Sequence, residues 1–151
     1  MSSSPLRVAV FNAGYGIWKP FLDLTEEEVR ESLDVNALAA FTFSREVLLE
    51  FTKNDVEQPS EGGKGGSRKK GTLIFTGATA SIRGNTTTSA FAIGKFGVRA
   101  LSQSLAKEFG KQNIHVCIRL LHLYLSIAHI LCGFVGCARE SRRLGQSGAE
   151  Y

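Results

Sequence analysis

Three short β-rich runs alternate with two long amphipathic segments, and this alternation restricts the chain more than any other feature. The first run is Arg7-Val-Ala-Val-Phe11, closed by a turn at Asn12-Ala13-Gly14 and Gly16. It is continuous rather than alternating, as a buried parallel strand requires. Thr25-Glu26-Glu27-Glu28 has the form of a capping box, with carboxylates where a helix dipole favours them. Helical spacing then runs to about Lys53 and predicts a stripe of Val29, Leu33, Ala37, Ala40, Phe41, Leu48 and Phe51. Residues 54–70 have the Pro, Gly, Ser and Lys content of a loop. Gly71-Thr-Leu-Ile-Phe75 is a second strand, and Thr76 to Thr88 is a turn-rich loop. A second helix is predicted from Ser89 to Phe109, with Val98, Leu101, Leu105 and Phe109 on one face and Gly110 as its stop. Ile114-His-Val-Cys-Ile118 is the third strand. The order β-α-β-α-β predicts a parallel sheet joined by right-handed crossovers.

Charge adds little to this. The net charge is +4, and residues 61–70 (EGGKGGSRKK) hold four of the positive charges against one negative. No aromatic residue is interleaved there for base stacking, so the patch is expected to be a solvated loop rather than a nucleic-acid surface. The cysteines, Cys117, Cys132 and Cys137, are odd in number and form no CxxC pair. With no signal-peptide pattern at the N-terminus, reduced thiols and a cytoplasmic setting are expected. His122 and His129 share helical spacing but have no third ligand at metal spacing, so no metal site is predicted.

Asn12-Ala13-Gly14 after a strand, Asn36 within a helix, a strand running into a Thr/Ser-rich loop, and Lys95 four residues after an aromatic together resemble the short-chain dehydrogenase/reductase family. The resemblance covers roughly residues 6–118. It implies an α/β fold: a partial Rossmann-like parallel sheet equivalent to strands four to six of the family, a three-layer α/β/α remnant with a divergent C-terminal helix. It also implies the family reaction, hydride transfer between NAD or NADP and a carbonyl or alcohol. By the same resemblance, Asn12, Ala13 and Gly14 steady the cofactor cleft. Asn36 falls where the family keeps an Asn that holds a helix bend and a relay water. Lys95 falls where the family's Lys binds the nicotinamide ribose and lowers the pKa of a catalytic Tyr.

The chain departs from that pattern at two catalytic positions. The Tyr position is Phe91 and the Ser position is Ala78. An alkoxide left by hydride transfer needs a proton that phenylalanine cannot give, and alanine offers the substrate oxygen no hydrogen bond. Such losses cost about 10²–10⁴-fold for a general acid and about 10²–10³-fold for an oxyanion donor. Thr76, Thr79 and Ser81 flank Ala78 as other hydroxyls, and Tyr15 is a tyrosine on a loop at the same sheet edge. The family's Gly-rich phosphate turn has no counterpart before Asn12, so a truncated member is expected. Thr76-Gly77-Ala78-Thr79-Ala80-Ser81-Ile82-Arg83 superficially resembles that turn, but Ser81 and Arg83 stand at its glycine positions. Gly62 to Ser67 does not have P-loop spacing.

Two parts are expected, a partial Rossmann-like domain over 1–118 and a divergent apolar segment with a polar tail over 119–151. Residues 120–137 are largely apolar and at the edge of membrane-spanning length. A helix on the sheet, a membrane span and translated non-coding sequence all remain open there, with the helix favoured. The predicted activity is therefore the family reaction, weak or absent in this chain. The alternatives are a non-catalytic interaction module and a membrane-attached fragment. The resemblance further implies that helices 26–53 and 89–109 could join a second copy or a full-length relative.

Overall fold

The structure, a computed structural model, describes residues 4–56 and 69–121. Most of the basic loop and all of the expected 120–137 helix beyond Leu121 lie outside the described residues, as do Cys132 and Cys137. Strands β1 (Val8–Phe11), β2 (Gly71–Ala78) and β3 (Ile114–Leu121) form a parallel sheet in the order β1-β2-β3. The register pairs Ala9 with Leu73 and Leu73 with Val116. Helices α1 (Glu26–Leu33) and α2 (Ala39–Lys53) make the first crossover, and α3 (Ser89–Phe109) makes the second. The fold is thus the expected Rossmann-like α/β fragment. Both crossovers move the same way across the sheet, so crossings of one hand place both helical layers on one face.

That face holds the core. Phe11, Leu73, Phe75, Ile114 and Val116 pack against Ala40, Val47, Leu48 and Phe51 of α2 and Val98 of α3. Phe11 bridges the layers, with its ring 5.5 Å from Phe43 and 6.3 Å from Phe75. On the other face the side chains alternate outward, and Val8 and Val10 are 53% and 46% exposed. The third layer expected from residues beyond 118 falls outside the described residues.

Local signals explain most boundaries. Thr25 caps α1 through the predicted box: its Oγ1 accepts from Glu28 N–H at 3.2 Å, and its own N–H donates to Glu28 at 3.0 Å. One boundary differs from expectation. The residues Thr76-Gly-Ala78, expected in a loop, continue β2, and a 3₁₀ turn follows at Thr79–Ser81. Pairing with Arg119, Leu120 and Leu121 on β3 outweighs the turn-forming composition. Helix α3 ends at Phe109 with Gly110 as its cap, as expected; Gly110 itself keeps helical angles, and after a 3₁₀ turn the left-handed residue is Asn113 at φ 62°. Asparagine tolerates that conformation almost as glycine does.

The larger difference lies between α1 and α2. Residues Asp34–Leu38 form one π-helical turn, which carries one residue more per turn and shifts everything before it around the axis. The buried stripe is consequently Ser32, Asn36, Ala40, Ser44, Val47, Leu48 and Phe51. Leu33 and Phe41, expected inside, are 36% and 55% exposed.

Candidate active site

The C-terminal ends of β1 and β2 open toward the start of α3 and the π turn, and here four separate segments converge. Asn36 is fully buried at the centre of the turn. Its Nδ2 donates to the carbonyl of Tyr15 at 2.7 Å and to the carbonyl of Ser32 at 2.9 Å, and its Oδ1 accepts from Tyr15 N–H at 3.4 Å. One amide thus satisfies the helix and holds the chain leaving β1. Ser32 in turn donates to Ala90 O at 3.1 Å, tying α1 to α3. Gly94 on α3 lets this happen: a Cβ there would lie 2.8 Å from Asn36 Cβ.

Lys95 is 5% exposed, and its Nζ donates to the carbonyl of Thr76 at 3.3 Å. Burial lowers its pKa from the ordinary value. The ammonium lies 5.8 Å from the centroid of the Phe91 ring. A Cβ built on Gly14 would stand 3.1 Å from Lys95 Nζ and 3.4 Å from Asn36 Oδ1, so Gly14 borders both side chains. Asn12 and Ala13 lie beside it, exposed. The sequence-derived positions Gly14, Asn36, Phe91 and Lys95 are therefore brought together. Ala78 ends β2 and leads into the turn that follows.

Neither Ser81 nor Tyr15 supplies the missing hydroxyl. Ser81 is fully buried and its Oγ donates to Ala78 O at 2.7 Å. The Tyr15 hydroxyl faces Glu31, whose carboxylate pushes its pKa up. A proton donor for an alkoxide needs the opposite shift.

Sequence reasoning missed Trp18. Its ring lies 5.5 Å from that of Phe91, inclined by 44°. No periodic signal marks it, because it stands in irregular chain between β1 and α1. It also missed Ser32, although Ser32 and Asn36 stand four apart, as two polar residues on one buried stripe must. The carbonyl of Thr76 is a backbone group, which no residue type announces.

A nicotinamide dinucleotide would need hydrogen-bond donors for its ribose hydroxyls. A lysine ammonium has three N–H groups, and among the described residues one of them meets Thr76 O. The remaining capacity fits the hydroxyls of a ribose. Among the described residues no cluster of three His, Cys, Asp or Glu could hold a metal, and no helix is long and apolar enough to cross a membrane.

Comparison with known proteins agrees with this geometry. Residues 2–120 match the family model described as short chain dehydrogenase. The chain is 36% identical over 111 residues to a short-chain dehydrogenase/reductase of Armillaria gallica, covering 74% of this chain and 38% of that one. It is 30% identical over 112 residues to a 2-dehydro-3-deoxy-D-gluconate 5-dehydrogenase of Formosa agariphila, covering 74% and 37%. Among solved structures, a short-chain dehydrogenase from Rhodopseudomonas palustris matches with TM-score 0.65 and 34% identity over 78% of this chain and 49% of that one. A 4-hydroxyisoleucine dehydrogenase complexed with NADH and succinate matches with TM-score 0.61 and 25% identity, covering 74% and 46%. The chain spans less than two fifths of the length of these curated relatives.

Proposed function

Because the chain belongs to the short-chain dehydrogenase family, we propose that the Lys95–Asn36 cluster is the nicotinamide side of an NAD(P)-dependent oxidoreductase site whose proton delivery is disabled. The observation that carries this reading is a buried ammonium set against a phenyl ring where the reaction needs a hydroxyl. A bound nicotinamide supplies the hydride of the family reaction. Lys95 would donate to a ribose hydroxyl, with Thr76 O holding the ammonium in place. Asn36 keeps the Gly14–Tyr15 backbone against it. Phe91 and Ala78 contribute apolar walls and no proton, so an alkoxide formed here lacks the hydroxyl acid that the family reaction uses.

The test is NADH- and NADPH-linked turnover across a panel of aldehydes and ketones, with fluorescence titration of both nucleotides. The unmodified chain should show turnover at background. Phe91→Tyr combined with Ala78→Ser should raise it by about 10² or more, the least a general acid contributes. Steady turnover by the unmodified chain would overturn the reading.

A second reading, an interaction module, is supported by a separate observation. The outer sides of α2 and α3 frame an apolar groove of about 280 Å³ lined by Phe41, Leu48, Leu49, Leu101, Leu105 and Phe109. Such a groove suits a helical partner.

A further inference from the structure

We propose that Trp18 and Phe91 form a ring-binding wall, and that the carbonyl compound the site accepts carries a flat unsaturated ring next to its oxygen. The proposal rests on the reading of the Lys95 cluster as an oxidoreductase site and names its substrate class. Four observations lead to it.

Trp18 lies against Phe91, with ring centroids 5.5 Å apart. Its indole folds back across Gly16, where a Cβ would lie 2.4 Å from the ring, so a side chain at position 16 would displace the indole from this position. The next residue is fastened on both sides: Lys19 N–H donates to Thr87 O at 3.0 Å, and the Lys19 ammonium pairs with Glu28. Hydrogen bonding to Lys19 also lowers the pKa of Glu28, which keeps that carboxylate ionised and engaged.

The aromatic surface is only half used. The inclined contact with Phe91 covers one side of the indole, yet Trp18 remains 59% exposed. A tryptophan with one ring contact and an open face can serve as a stacking platform, since offset and tilted ring pairs are favoured beyond the area they bury.

Phe91 fits the same purpose. The residue that lacks a proton donor adds apolar ring surface beside the indole, so a ring leaving water here could rest against both.

The polar end is supplied by Lys95. Its Nζ lies 5.8 Å from the Phe91 centroid and has donor capacity beyond its bond to Thr76 O. A ring resting on Phe91 and Trp18 would bring an attached oxygen toward that ammonium. A saturated ring of equal size would bury similar area without the ring-to-ring term, which separates aromatic recognition from simple hydrophobicity.

The experiment compares acetophenone with cyclohexyl methyl ketone, which share the acetyl group and differ in the ring. Dissociation constants come from ligand-observed NMR on the full chain. Trp18 is the single tryptophan, so its emission reports contact directly. Acetophenone should bind about fivefold more tightly than the saturated ketone, within the range of an added aromatic pair, and should quench Trp18. Trp18→Leu should abolish the preference, and Trp18→Phe, which keeps a ring, should retain most of it. Circular dichroism checks that each variant is folded. Should Trp18→Leu fail to fold, Phe91→Leu takes its place with the same expected loss. Equal affinities in the unmodified chain, or a preference that survives both leucine variants, would overturn the proposal. NADH titration is scored separately: absence of nucleotide binding overturns the nicotinamide reading, and the paired ketones still decide the ring wall.

Discussion

At Lys95, a side chain that prefers water is held in the core, and the protein bears an electrostatic cost for it. Burial lowers its pKa from the ordinary 10.5. Between the lowered value and 10.5 the unfolded chain binds a proton that the folded chain does not, so folding stability rises with pH over that interval. Below it both states carry the charge, and the folded state bears the full desolvation penalty. Lys95→Met removes the titrating group while keeping an unbranched side chain. The variant should therefore gain stability relative to the parent near neutral pH, and the gain should shrink as pH climbs toward 10.5. Urea midpoints at several pH values from 7 to about 10.5 measure this. A difference that does not vary with pH would show that Lys95 is not desolvated.

The π turn and its contact with α3 decide the geometry of the site among elements. Asn36 reaches Tyr15 because the extra residue in Asp34–Leu38 rotates it inward, and α3 comes close because position 94 has no side chain. Gly94→Ala should cost about 1–3 kcal/mol, the usual range for overpacking, and should loosen the Tyr15 carbonyl from its donor. Gly97→Ala is the internal comparison. Its Cβ would meet only Ala37 Cβ, at 3.3 Å, so the gain of about 1 kcal/mol in helix propensity should offset most of the crowding. Urea unfolding of both variants checks the contrast, and equal costs would refute it. The same region shows what could be learned before the fold was known. Thr25 to Glu28 is a local hydrogen-bond pattern, so the start of α1 was legible, and the spacing of Val98, Leu101 and Leu105 marked α3. A 3.6-residue period contains no sign of an inserted residue, so Leu33 and Phe41 are expected inside yet are exposed, whereas Ala40, Leu48 and Phe51 of the same stripe are buried as expected. The continuation of β2 through Thr76-Gly-Ala78 depends on pairing with a distant strand, which local composition does not encode. Phe91, Lys95, Asn36 and Gly14 were identified by their order along the chain, but their convergence through the Thr76 and Tyr15 carbonyls is a tertiary fact.

On the scale of the whole molecule, two exposed apolar surfaces are candidates for the proposed contact with another protein. One is the outer sheet face, with Val8 and Val10 exposed. The other is the groove between α2 and α3, where Phe41 and Leu49 are 55% and 45% exposed. The groove has the stronger claim. Its exposed side chains are larger, and it is flanked by charges of both signs, Arg45 and Glu108. In a twofold arrangement each charge could meet its opposite on the other copy, because an isologous contact repeats one patch against itself. The sheet face is flatter, and Thr72, Ile74 and Cys117 on it are already half-buried. Self-association measured by sedimentation equilibrium should therefore respond to Leu105→Glu, which puts a charge into the groove, with dissociation strengthened by about tenfold or more. That corresponds to at least about 1.4 kcal/mol, less than the usual cost of burying an unpaired charge. Val10→Lys, on the opposite face, should leave the apparent mass unchanged. The reverse pattern would move the interface to the sheet, and a monomer under all conditions would remove the interaction reading.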